Sequence, residues 1–195
     1  MLTLCIDTAY KYLTCALIED DKILASASYE CFKKQSEEVF IALDKVFKDA
    51  NVNKKDIDSI CISKGPGSYT GVRIAMSIAK TIGELFNIDV YTISTLRLYA
   101  ANNENTMVIM DARANRAYVG VYDKDKIIEE DHAIELDKID VKDYRLIGDL
   151  SLLNREDYYD DIPECFLKTK NLWEKVDKIA YLTPSYLKES DSYYR

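Results

Sequence analysis

Histidine is almost absent from this sequence, since His132 is the only one among 195 residues. Histidine supplies many of the ligands of zinc centres and the general base of serine-type triads. One histidine in a charged segment is more typical of a solvated side chain than of a metal ligand. The sequence therefore predicts neither a histidine-based metal centre nor a peptidase, and we assign no catalytic residue.

Long apolar runs and a leader segment are also missing. No stretch approaches the roughly 20 apolar residues that a membrane helix requires. The first residues carry no basic leader, and an acid follows at Asp7. The five cysteines show no paired spacing, which favours small buried side chains in a reducing compartment. We therefore expect a cytoplasmic protein that does not contact a membrane.

Basic residues are outnumbered: 26 lysines and arginines face 34 aspartates and glutamates, which gives a formal charge of −8. A nucleic-acid backbone repels such a chain on average, and tight binding normally needs a basic face. If a nucleic acid takes part in the function, we expect a partner to hold most of it.

The first hundred residues alternate between strand and helix patterns. Three strands joined by short polar turns are followed by alternating helices and strands, which is typical of a mixed α/β sheet with helices on its faces. We predict a five-stranded sheet. The predicted strands are 2–8, 13–19, 22–29, 57–63 and 90–94, and the predicted helices are 36–50, with Ser36 as its cap, 68–86 and 95–101.

The second half opens in the same way after a polar break at residues 102–105. Two lobes with the same opening topology are what a duplicated domain would give. We therefore predict an N-terminal lobe over residues 1–102 and a shortened C-terminal lobe over 103–195. The predicted elements of the second lobe are strands 106–111, 116–122, 126–136 and 146–149 and a helix over 171–182.

Four of the six glycines lie between residues 65 and 83. Gly65, Gly67 and Gly71 surround a turn that opens the second helix, where free backbone N–H groups could hold phosphate. The spacing matches neither the P-loop nor the dinucleotide-binding motif. The turn therefore favours close packing over a standard nucleotide site.

A small-residue row, defined as Gly71, Ala75, Ala79 and Gly83, runs along one side of this helix. Glycine in a helix costs about 0.5–1 kcal/mol relative to alanine, so two glycines on one row indicate a steric need. The row either packs on the chain's own sheet or forms a helix–helix interface with helix 36–50 and a partner chain. In the second interpretation the partner-binding surface also includes an apolar stripe on helix 36–50. That stripe is Val39, Leu43, Val46 and Phe47, widened by Phe40.

Several segments together resemble the TsaB (YeaZ) family of the glycoprotease-like (Gcp-like) superfamily. They are Cys5-Ile6-Asp7-Thr8, Ser63-Lys64-Gly65-Pro66-Gly67-Ser68-Tyr69-Thr70-Gly71-Val72-Arg73, Ala79-Lys80, Ser94-Thr95-Leu96 and Met110-Asp111-Ala112-Arg113 with Tyr118. The resemblance implies an actin/hexokinase-like (ASKHA, ribonuclease H-like) fold with two lobes. Family members often carry a histidine where this chain has Gln35.

The same resemblance implies a role in tRNA modification. TsaB pairs with the transferase TsaD and, with the ATPase TsaE, supports transfer of a threonylcarbamoyl group to the adenosine beside the anticodon. TsaD-type relatives hold a metal with two histidines four residues apart, whereas residues 92–101 here contain no histidine, cysteine or acid. We expect a non-catalytic dimerisation subunit that pairs with TsaD or with a second copy of itself. It meets tRNA only through the complex, and ATP, ADP and metal belong to the partner subunits.

A nucleotide cleft is the remaining candidate site. Asp7 and Asp111 occupy matching places in the two lobes, where actin-like ATPases keep acids for metal-bound phosphate. The vestigial cleft would comprise Asp7, Thr8, Gly65, Gly67, Asp111 and Arg113, with Arg113 either paired to Asp111 or facing the cleft. The alternative function is a minimal actin-like ATPase or small-molecule kinase that uses the two acids.

Overall fold

Two β-sheets organise the chain in the computed structural model, which describes residues 1–31 and 33–187. The last eight residues of the predicted second lobe lie outside the described residues. The first sheet has the strand order β10-β5-β4-β1-β2-β3, and the second has the order β8-β7-β6-β9. The model confirms the prediction of a mixed α/β fold with two sheets.

The first sheet places its central strands between two apolar layers. All six residues of β1 and all five of β4 are buried, because both faces of the sheet are covered. Antiparallel pairing joins β1 to β2 and β2 to β3, and parallel pairing joins β1 to β4 and β4 to β5. The strands are β1 (Leu2–Asp7), β2 (Tyr12–Glu19), β3 (Lys22–Glu30), β4 (Ser59–Ser63) and β5 (Asp89–Ile93).

Helices α1 (Gln35–Ala50) and α2 (Tyr69–Phe86) cover one face of this sheet. The Ser68 side chain caps α2 by accepting a hydrogen bond from the Gly71 N–H at 3.3 Å. The predicted cap of α1 is wrong. That helix begins at Gln35 with Lys34 in the cap position, so Ser36 lies inside its first turn.

The second sheet repeats the topology of the first. Antiparallel pairs β6–β7 and β7–β8 are followed by a parallel strand beside β6, as β4 lies beside β1. The two strand triplets predicted from the sequence therefore both form. The strands are β6 (Thr106–Arg113), β7 (Arg116–Asp123), β8 (Lys126–Glu135) and β9 (Arg145–Gly148).

The two sheets share a hydrophobic core. Helices α3 (Thr95–Ala100) and α4 (Ile162–Lys168) contact strands of both lobes, and their buried side chains pack with residues such as Cys5 and Val108 from the two sheets. The outer face of the second sheet is covered by short segments that carry Leu136, Leu150 and Leu153. The sequence analysis missed α4, although Pro163 in its first turn is a recognised helix-start signal.

The predicted helix over residues 171–182 is wrong. In its place stand a 3₁₀ turn (Lys170–Leu172), a two-residue strand β10 (Glu174–Lys175) and a second 3₁₀ turn (Ile179–Tyr181). Strand β10 pairs antiparallel with β5, so the first sheet has six strands instead of the five predicted. Pairing with the open edge of β5 satisfies backbone groups that a helix would leave exposed there.

This segment also changes how the lobes divide. Val176, Ile179 and Leu182 pack against the first core, between the sheet and α2. Residues 174–182 therefore belong to the first lobe in space, although the predicted division at residue 102 assigns them to the second.

Replacing Gly71 with alanine should destabilise the protein. A Cβ at this position would lie 2.2 Å from the Thr8 carbonyl oxygen, and backbone cannot move aside as a flexible side chain can. We expect the free energy of unfolding to fall by about 1–3 kcal/mol, measured by urea titration. Glu84→Ala on the exposed side of the same helix is the control and should change it by less than about 0.5 kcal/mol. Equal stability of the two variants would contradict the packing role of Gly71.

Candidate functional site

The eight residues predicted to contact a partner all face the chain's own core. The side chains on α1 are at most 7 % exposed: Val39, Leu43, Val46 and Phe47. On α2, Ala75 and Ala79 are fully buried, and Gly71 and Gly83 are buried as well. Val39, Leu43 and Phe47 nevertheless line two surface cavities between the helices, so the partner-binding role of these side chains stays a prediction. The alternative, in which the small-residue row packs on the parent sheet, is the observed one.

The small-residue row brings α2 into direct contact with the first strands. The Thr8 hydroxyl donates to the Gly71 carbonyl oxygen at 2.7 Å and accepts from the Ala75 N–H at 3.2 Å. At the other end, a Cβ on Gly83 would lie 2.6 Å from Val90 Cγ2 and 2.9 Å from Ile179 Cδ1. Small residues are needed in this row because the backbone and side chains of neighbouring segments lie against it and leave no room for larger ones.

The opposite face of the two helices is apolar and open. Phe40 on α1 is 66 % exposed and Leu85 on α2 is 71 % exposed. A cavity of about 570 Å³ lies between the helices, and a neighbouring one of about 450 Å³ continues it towards Tyr69 and Arg73. We define the outer helical face as the apolar residues that line these two cavities on the outside: Phe40, Ile74, Ile78, Ile82, Leu85 and Phe86.

The sequence contains a pattern that marks this face, namely a second apolar row on α2. Apolar residues recur every four positions along α2 and form a second row beside the small-residue row: Ile74, Ile78, Ile82 and Phe86. A helix with two apolar rows has one row to spare after it packs on its sheet. Phe40, predicted to widen the apolar stripe of α1, lies on this exposed face.

A second candidate site is the inter-lobe groove, a cavity of about 440 Å³. Its walls are the turn after β1, the start of α1, the start of α2, the end of β6 and Tyr118 of β7. Three of the six residues predicted for the nucleotide cleft line it, namely Gly67, Asp111 and Arg113. The lining of this groove does not include Asp7, Thr8 or Gly65.

Asp7 is buried beneath the groove and is fully engaged by the protein. Its carboxylate accepts hydrogen bonds from Ser63 Oγ at 2.5 Å, from the Tyr99 hydroxyl at 2.7 Å and from the Ala9 N–H at 2.9 Å. Burial raises the pKa of Asp7, and these hydrogen bonds only partly oppose the rise. A carboxylate held in this way acts as a structural hydrogen-bond acceptor and is not presented to a metal-bound phosphate.

Asp111 and Arg113 form a local pair at the rim of the groove. The Arg113 N–H donates to Asp111 Oδ1 at 2.7 Å, and the guanidinium Nη1 lies 3.6 Å from Oδ2. Both residues also line the groove, so Arg113 is paired with Asp111 and faces the groove at the same time. The geometry does not bring Asp7 and Asp111 to a common site, which is what the ATPase or kinase alternative requires.

The histidine and the acids are dispersed. Within residues 1–31 and 33–187, no three histidine, cysteine or acidic side chains are grouped so as to hold a metal ion. His132 is partly exposed, with Nε2 3.3 Å from a Glu129 oxygen. None of the helices in the same ranges combines the length and the apolar character that a bilayer crossing demands.

Comparison with known proteins assigns the family. The model of TsaD, tRNA N6-adenosine threonylcarbamoyltransferase, matches residues 29–147, more than half of the chain. The Bacillus subtilis tRNA threonylcarbamoyladenosine biosynthesis protein TsaB is 33% identical over 135 residues, which are 67% of this chain and 59% of that protein. This chain belongs to the TsaB (YeaZ) family. The Buchnera aphidicola (Schizaphis graminum) TsaB is 29% identical over 127 residues, 62% of this chain and 60% of that protein.

A solved structure agrees with the fold. YeaZ from Pseudomonas aeruginosa superposes with a TM-score of 0.81 at 18% identity, over 95% of this chain and 99% of that one. This likeness confirms the predicted α/β fold class. The matched regions span about three fifths of the curated TsaB relatives.

Asp7→Asn should flatten the dependence of stability on pH. Burial raises the pKa of Asp7 in the folded state above its ordinary 3.8. The stability that the protonated carboxyl adds to the folded state is therefore fully present below pH 3.8 and is lost as the pH rises through the raised pKa. Asparagine cannot ionise but keeps acceptors for Ser63 and Ala9. Urea unfolding between pH 3.5 and pH 7 should therefore show a smaller loss of unfolding free energy in the variant than in the parent chain.

The exposed Asp56→Asn is the control for this titration and should follow the parent chain. A variant at Asp7 that reproduces the parent's pH profile would show that this carboxyl is not buried as described.

Proposed function

We propose that this TsaB-family chain is a non-catalytic subunit that docks on TsaD through the outer helical face. In that complex, with TsaE, it supports transfer of a threonylcarbamoyl group to the adenosine beside the anticodon of tRNAs. The observation that carries the proposal is the apolar, open surface of α1 and α2. Exposed contiguous apolar patches of this kind mark protein–protein contacts.

The dispersion of reactive groups supports a non-catalytic role. Asp7 is buried and engaged by three donors, and Asp111 pairs with Arg113 at the rim of the groove. The described residues place no metal-binding cluster beside them. We therefore assign ATP, ADP and metal to the partner subunits.

Charge supports indirect contact with tRNA. The chain carries 34 acids against 26 basic residues, and residues 103–195 hold 21 of these acids but only 14 of the basic residues. A phosphate backbone would be repelled most strongly by this second lobe. We propose that tRNA meets the chain only through the complex, in the cytoplasm.

The same face would serve a second copy of this chain when TsaD is absent. An apolar surface on two parallel-lying helices can pack against any matching pair of helices, so homodimer and heterodimer compete for it.

Reconstitution tests the proposed function. TsaD and TsaE are incubated with tRNA, ATP, threonine and the activated threonylcarbamoyl donor, with and without this chain, and modified adenosine is measured by mass spectrometry. We expect modification only when the chain is present. Equal modification in its absence would refute the role of an essential subunit.

Phe40→Glu should disrupt the docking surface. A charge at the centre of an apolar contact is left without a partner when the interface closes, so we expect binding to TsaD to weaken by about 30-fold or more. The measurement is titration calorimetry with the purified partner.

Ile41→Glu is the matched control, because Ile41 is 63 % exposed on the same helix but lines neither cavity. It should bind nearly as the parent chain does. Equal weakening by both substitutions, or by neither, would contradict the placement of the docking surface.

A further inference from the structure

Asp149 is a buried carboxylate that the sequence analysis did not single out as a site. It follows β9 and is 1% exposed. Its Oδ1 accepts hydrogen bonds from Lys11 Nζ at 2.5 Å and from the Tyr159 hydroxyl at 2.7 Å. Its Oδ2 accepts from the Asp111 N–H at 2.8 Å and from the Tyr10 hydroxyl.

The donors come from both lobes. Tyr10 and Lys11 belong to the turn between β1 and β2, whereas Asp111 and Tyr159 belong to the second lobe. Tyr10 and Asp111 also line the inter-lobe groove. One carboxylate therefore holds a residue of the first lobe and a residue of the second lobe in the wall of the same groove.

The ionic partner makes this arrangement stable. A buried carboxylate is costly unless it is paired and its remaining lone pairs are satisfied, and here the Lys11 ammonium and three further donors meet that condition. Lys11 also contacts the more exposed Asp157 at 3.2 Å. Burial lowers the pKa of Lys11, but the hydrogen bonds and charges of Asp149 and Asp157 together outweigh that effect, and the pKa is raised.

We propose that Asp149 is a positioning residue that fixes the width of the inter-lobe groove. It ties the turn after β1 to the end of β6, so the two walls cannot move apart or close independently. Another inter-lobe contact, from Ser94 to Asp131, lies at the start of α3 and in β8, which do not line the groove. The groove is thus a preformed slot, unlike a cleft that closes on a ligand.

Asp149→Asn tests the proposal directly. Asparagine has one acceptor oxygen in place of two, so one of the two pairs of donors must be released and the ion pair with Lys11 is lost. The variant keeps the size of the side chain. Asp157→Asn is the matched control, because it removes the other carboxylate beside Lys11 without touching the groove walls.

Groove width is measured with spin labels on cysteines introduced at Ser36 and Ala114. Both positions are exposed on opposite sides of the groove, whereas the five native cysteines are buried. We expect the distance distribution to broaden in Asp149→Asn and to stay narrow in Asp157→Asn. Exchange of the Asp111 amide should also accelerate by about tenfold or more in Asp149→Asn alone.

An unchanged distance distribution and amide exchange in a folded Asp149→Asn chain would overturn the proposal. If that variant does not fold, the double variant Tyr10→Phe, Lys11→Met removes the two first-lobe donors and keeps the carboxylate. A narrow distribution in that folded chain would equally overturn it. Neither readout involves TsaD, so failure here is separate from failure of the proposed function.

Discussion

The contact between α2 and the turn after β1 is the constraint on which the rest of this structure depends. Gly71 lies so close to Thr8 that no side chain fits between them, and the Thr8 hydroxyl joins two backbone groups of the helix. Because the small-residue row is used in this contact, the second apolar row of α2 is left at the margin of the core, where Ile74 and Ile82 are partly exposed. The surface that we assign to partner binding is therefore a by-product of how tightly the helix is held to its own sheet. Gly71 therefore has a packing role in this fold.

The second lobe has the same opening topology as the first, but its sheet has four strands where the first has six. Its strand triplet and parallel fourth strand repeat the first sheet, and α3 and α4 fill the space between the sheets. Its outer face, however, is covered by short segments around Leu136 and Leu153 where the first lobe has α1 and α2. The lobes are thus equivalent in topology but not in their outer layers, and among residues 1–31 and 33–187 a pair of long helices is found only in the first.

Hydrophobic periodicity predicted most strands and the two long helices, because each of them buries a face that the sequence pattern marks. It could not decide which side of α2 meets the sheet, since both rows suit a buried face. Strand β10 has only two residues, and its pairing is set by the open edge of β5, so it leaves no local pattern. Asp149 was missed for a similar reason: its partners Tyr10 and Lys11 are 139 and 138 positions away in the chain. Gln35, noted only as a departure from the family's usual histidine, is buried and donates to the Tyr10 carbonyl oxygen at 2.7 Å.

The return of residues 174–182 to the first lobe has a consequence for synthesis on the ribosome. Domains generally fold from the N-terminus as the chain emerges. The first sheet cannot be completed in that order, because β10, which pairs with β5, and Ile179, which packs beside Gly83, are both synthesised after the second sheet. A nascent chain that ends before these residues exposes an unpaired strand edge, which is a template for aggregation. Placement of α2 in its final setting is thereby coupled to synthesis of the chain through residue 182.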